Sequence, residues 1–157
     1  MRKRIIGTSP PAAMETRPEW LPLEQIASVE VTSEETAHPV EDALLPGAET
    51  GWRAVLPGEQ TLRLIFDNPQ PLKRIRLCFL EHEVERSQEF VLRWSADGGR
   101  TFHEIVRQQW NFNPHNSAEE VEDYHVELGS VTQLELKIVP DRSGGDARAS
   151  LAQLRLA

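Results

Sequence analysis

Apolar residues along this chain recur mainly at every second position. Leu62, Leu64 and Phe66 alternate with Arg63 and Ile65, and Ile75, Leu77 and Phe79 alternate with Arg76 and Cys78. The same spacing returns in Phe90, Leu92 and Trp94 and in Leu134, Leu136 and Ile138. Period two marks strands with one face turned to a core. Weaker runs at 26–31, 102–106, 124–128 and 151–156 bring the expected count to about eight strands. Turn signals separate them: Asp67-Asn68-Pro69, Asp97-Gly98-Gly99, Gly129-Ser130 and Ser143-Gly144-Gly145-Asp146. Helical spacing is confined to one predicted turn over Pro39 to Leu45, closed by Pro46-Gly47.

Eight alternating strands predict an all-β fold, an antiparallel jelly-roll sandwich. If successive strands are antiparallel, successive connections fall at opposite ends. The odd connections, roughly 34–59, 81–88, 109–120 and 141–147, are the long ones, so one end of the sandwich should gather the long loops. Binding residues concentrate on such loops. Residues 1–20, with Pro10, Pro11 and Pro18, read as an irregular arm whose end is pinned by Trp20, Leu21 and Leu23; residues 21–157 read as the β domain.

Composition narrows the partners. The chain has 157 residues, 39% hydrophobic and 27% charged, ordinary values for a chain that buries its own core. Its 17 Lys and Arg against 25 Asp and Glu give a net charge of −8, which repels nucleic-acid phosphates and anionic membrane surfaces, so neither is expected as a partner. No apolar run approaches a membrane span. Arg2-Lys3-Arg4 is followed by too short an apolar stretch for an export signal. A single cysteine, Cys78, can form neither an internal disulfide nor a cysteine-based zinc site, and with the missing signal it points to a cytoplasmic protein.

Catalytic and cofactor motifs are missing. His82-Glu83-Val84-Glu85-Arg86 and His103-Glu104-Ile105-Val106-Arg107 imitate a zinc-binding helix motif, but arginine replaces the second histidine and neither stretch is helical. No enzyme activity, metal or cofactor is expected. The most suggestive stretch runs from Gln108 to Asn116. Trp110 offers a flat apolar face, while Asn111, Asn113 and His115 offer planar donors and acceptors, the combination that sugar hydroxyls and C–H faces require. Arg86 and His82, on the neighbouring third connection, complete the expected ligand-binding set. The structural alternative is that Trp110 or Phe112 plugs one end of the core.

Val31-Thr32-Ser33, His38-Pro39, Gly51-Trp52, the Phe90 to Ser95 strand before Asp97-Gly98-Gly99, Phe102, Leu134 to Pro140 and Leu154-Arg155-Leu156 follow one another in an order and spacing that resembles the discoidin or coagulation-factor type C domains of the galactose-binding-like superfamily. The resemblance implies an eight-stranded jelly roll whose ligands, usually glycans, meet loops at one end. It also implies a structural calcium, held in relatives by carboxylates where this chain has Pro46-Gly47 and the terminal Leu154-Arg155-Leu156-Ala157. Those departures predict that the ion is not used here. Function is thus expected to be non-catalytic binding, with carbohydrate as the ligand; a cytosolic protein-interaction or assembly domain is the alternative.

Overall fold

The computed structural model describes residues 19–48 and 50–157. The expected arm over 1–20 therefore lies, apart from Glu19 and Trp20, outside the described residues. Two single-turn helices, α1 (Leu23–Ile26) and α2 (Glu41–Leu44), flank β1 (Ala27–Val31). The strands that follow are β2 (Trp52–Arg53), β3 (Gln60–Leu80), β4 (Arg86–Ser95), β5 (His103–Phe112), β6 (Glu119–Val139), β7 (Ser150–Leu151) and β8 (Gln153–Leu156). All strand pairs are antiparallel.

The sandwich is built around two 21-residue strands, β3 and β6, paired along their length. Their first and last halves serve different layers. Gln60 to Ile65 of β3 pairs with β1 and with Gln133 to Ile138 of β6, which in turn pairs with β4 and then β5. Beyond the bend, Ile75 to Cys78 of β3 lies between β8 and Val121 to Tyr124 of β6. Where turns were expected at Asp67-Asn68-Pro69 and Gly129-Ser130, the strands continue and fold over. The cause is a series of register shifts: Gln70 faces Val131 and Leu72 faces Leu128, so Gly129 and Ser130 stand opposite Pro71 alone. Pro69 and Pro71 cannot donate to a ladder, and bulges bend strands, so these residues make a corner rather than a reversal.

Alternation then fills the space between the layers. Leu62, Leu64, Leu134, Leu136, Ile138, Phe90 and Leu92 from one layer meet Ile75, Leu77, Phe79, Leu154 and Leu156 from the other in one core. Phe79 and Phe90 join the layers, their ring centroids 5.3 Å apart. Trp94 is half-buried at the core's edge against His103. Leu23 is buried, and Trp20 lies under the Arg74 guanidinium, 5.3 Å from its ring centroid.

Both corners and the Asp97-Gly98-Gly99 turn occupy one end: the Thr132 hydroxyl accepts from the Gly98 amide and donates to the Ser95 carbonyl. The opposite end holds the small β2–β7 sheet. There Gly51 has φ of +67°, and a Cβ on it would stand 2.6 Å from the Leu151 carbonyl oxygen, so both backbone conformation and space call for glycine. Gly51→Ala is expected to cost about 1–3 kcal/mol from strain at this position. Thermal unfolding should show a lower midpoint; an unchanged one would contradict the close approach.

Candidate functional site

The long connections meet at the β2–β7 end, as strand alternation predicts. Backbone bonds lock them together: the Glu81 amide donates to Ala118, Arg142 to Ser87, Ala54 to Ala149 and Gly58 to Ala147. Two adjoining cavities open between them, of about 230 and 380 Å³. The smaller is lined by His38, Thr50, Trp52, Arg53, Leu80, Glu81, His82, Glu83, Arg148 and Ser150 to Ala152. The larger adds Val84, Glu85, Asp141 and Gly144 to Ala147, and Arg53, Glu81, Glu83 and Arg148 border both.

One wall is basic. The Glu35 amide donates to the Arg53 carbonyl, and the Arg53 amide to the His38 carbonyl, which sets Glu35, His38 and Arg53 side by side. The Glu35 carboxylate then receives Arg148 Nη1 at 3.0 Å and lies 3.8 Å from Arg53 Nε. Two half-exposed guanidiniums share one carboxylate, so donors remain to point at a ligand. The facing rim carries Glu83, Glu85, Asp141 and Asp146. Trp52 forms the floor, 1% exposed, with its indole Nε1 donating to the Ser33 carbonyl at 2.9 Å.

A buried arginine holds this end together. Arg86 sits on the inward face of β4, its Nε 2.6 Å from Glu81 Oε1, while its Nη1 donates to Gln88 Oε1 at 3.0 Å and to the Pro140 carbonyl at 2.8 Å. Its guanidinium lies 4.6 Å from the Phe112 ring centroid. The other oxygen of Glu81 accepts from the Glu83 and Val84 amides, fixing the loop that forms the acidic rim. Burial opposes ionisation of Glu81, but Arg86 and these amides outweigh it and hold the carboxyl below its ordinary range.

The expected ligand-binding residues divide accordingly. His82 lines the cleft. Arg86, expected to face a ligand, is 5% exposed and committed to its internal partners. Trp110 and Asn111 lie on β5, which runs further than expected: Trp110 faces inward, packed against the core, and Asn111 outward. Asn113 caps its own turn by accepting from the His115 amide and donates to Glu85 at 3.2 Å, tying the fifth connection to the rim; His115 is exposed at the turn. None of these five lines either cavity. The cleft instead presents Arg53, Arg148, His38 and Thr50. Arg148 lies just past the seventh connection as predicted, between Gly144-Gly145 and β7, and that position was the available signal for it.

A chain of polar groups leads inward from Arg86. Gln88 donates to Glu120 Oε1 at 3.3 Å, Glu122 lies beside Glu120, and the Tyr124 hydroxyl donates to Glu122 at 3.2 Å. Burial, reinforced by the Glu122 carboxylate, pushes Glu120 up to about 8, so it stays protonated at neutral pH.

Comparison with solved structures returns one recurrent class, the family 32 carbohydrate-binding modules. The module of AlyQ, solved with 4,5-unsaturated mannuronic acid, superposes with a TM-score of 0.62 at 11% identity, covering 84% of this chain and 95% of that one. The module of C. perfringens NanJ, solved with galactose, gives 0.59 at 16% identity over 87% and 96%. CpGH89CBM32-5 from Clostridium perfringens, in complex with GalNAc-β-1,3-galactose, gives 0.62 at 17% identity over 88% and 99%. No family model and no curated protein sequence matches the chain. The likeness, at 11–17% identity, shows the fold: the chain shares the β-sandwich architecture of these modules while diverging almost completely in sequence.

The buried Glu120 sets a pH dependence. Its folded pKa lies above its unfolded one, so its contribution to stability is full below about 4.5 and is lost as pH rises to about 8. Chemical denaturation across that window should show stability falling by on the order of a few kcal/mol. Glu120→Gln should flatten the slope; an unchanged slope in the variant would contradict the assignment.

Proposed function

We propose that this chain is a non-catalytic carbohydrate-binding module whose ligand enters the cleft between the long connections. The observation that carries the reading is the basic wall: Arg53 and Arg148, hinged on Glu35, border both cavities beside His38, His82 and Thr50. Guanidinium, imidazole and hydroxyl groups on a concave surface are suited to a polyol, whose many hydroxyls both donate and accept. The fold comparison supports it, since the superposed modules are solved with sugars. Kinship with the discoidin branch of the superfamily rests on the order of the motifs quoted above.

Among the described residues the cleft lacks the exposed aromatic that many sugar sites use, because Trp52 is covered and Trp110 lies elsewhere. Recognition would then depend on polar contacts with a short glycan end. A protein partner is the second reading, favoured by the exposed Val55, Leu56 and Val84 close to the cleft.

A broad glycan array probed with the full chain tests the proposal. Binding by the wild type should fall at least about tenfold in Arg148→Ala and in Arg53→Ala, as expected for central contacts. Trp110→Ala should keep it if the protein folds. Folded wild-type protein that binds no glycan would overturn the reading in favour of a protein partner.

A further inference from the structure

The turn after α2 ends in carbonyls that the helix itself cannot satisfy. Arg155, on β8, reaches across to them. Its Nη1 donates to the Ala43 carbonyl at 2.9 Å and to its neighbour Leu154 at 2.9 Å, and its Nη2 donates to the Leu45 carbonyl at 3.1 Å. One planar cation thereby joins two strand-distant segments through backbone oxygens. These are the places, around Pro46-Gly47 and the chain's last residues, where the resemblance implies a structural calcium.

The residues present do not fit that ion. Calcium takes six to eight oxygens, commonly including carboxylates. Here Pro46-Gly47 and the terminal Leu154-Arg155-Leu156-Ala157 stand where the resemblance implies carboxylates, and among the described residues no group of three or more His, Cys, Asp or Glu is placed to hold a metal. The Ala43 and Leu45 carbonyls already accept from the positively charged Arg155 guanidinium. Burial of the Arg155 guanidinium works against its charge and the nearby Arg76 adds to that, so the attraction holding Arg155 is that of the carbonyls.

We propose that the Arg155 guanidinium is a built-in structural cation that takes the place of a bound divalent ion, pinning the turn after α2 to the C-terminal strand. Guanidinium suits the role because it keeps its charge at all working pH values and offers a fork of donors at fixed angles. The pin matters to the cleft because the segment it anchors leads directly to Thr50 and Trp52, which line it. A protein built this way keeps that end ordered where free calcium is scarce.

Thermal unfolding of the full chain, with calcium chloride, magnesium chloride or EDTA, tests the proposal. The wild-type midpoint should be the same in all three. Arg155→Ala should lower it by several degrees, and Arg155→Lys, which keeps the charge and loses the fork, by less. Arg155→Glu places a carboxylate beside the freed carbonyls and should gain several degrees from calcium and none from magnesium. If that variant folds only on adding calcium, the recovery itself is the readout. A wild-type midpoint raised by calcium or lowered by EDTA would overturn the proposal, as would an Arg155→Ala protein as stable as the parent or an Arg155→Glu protein indifferent to calcium.

Discussion

The ion pair between Arg86 and Glu81 is the contact on which the loop end of this molecule depends. Four connections that share no regular structure must be held in one arrangement, and a single guanidinium touches three of them: Glu81 in the third, Phe112 at the edge of the fifth and the Pro140 carbonyl at the start of the seventh. Removing a charge from water is costly, and such a pair is favourable only when its remaining hydrogen-bonding capacity is met. Here it is met by Gln88, by Pro140 and, on the carboxylate side, by two backbone amides. The pair thus serves to fix loop geometry, and the cleft inherits that fixed shape.

The two layers make this end possible. Because β3 and β6 fold over as a paired ribbon, every strand that enters a layer at the corner end leaves it at the loop end. The corners carry prolines and bulges. All the adjustable sequence is displaced to the other end, where first, third and seventh connections line the cleft and the fifth braces its rim. Arg155 extends the logic outward, joining the turn that precedes the cleft to the last strand.

Much of this was legible in the residues. Period two in Leu62 to Phe66, Phe90 to Trp94 and Leu134 to Ile138 gave the inward faces, and strand alternation alone predicted which loops would meet. Local turn chemistry misled at Pro69 to Pro71 and at Gly129-Ser130, where proline and glycine bend a continuing strand instead of ending it. The burial of Arg86 was harder to see, yet it follows from the same periodicity. Extending Phe90 and Leu92 backward by twos reaches Gln88 and Arg86, and extending Phe112 backward reaches Trp110 and Gln108. Polar residues at inward positions interrupt the apolar pattern, so the pattern alone predicts strands that end early and places these residues on loops. Arg53 and Arg148 meet only through tertiary folding, and nothing in their local sequence announces that they share Glu35.

The proposed entry of ligand between the long connections, and nowhere else, makes a direct prediction. Backbone amide shifts of the isotopically labelled protein, followed while galactose or the glycan best retained on an array is added, show where ligand binds. Perturbations clustered on residues 50–53, 81–85 and 146–152 are the predicted result. Perturbations centred on the corner end, at residues 97–101 and 129–133, or on the Trp110 face of β5, would contradict it.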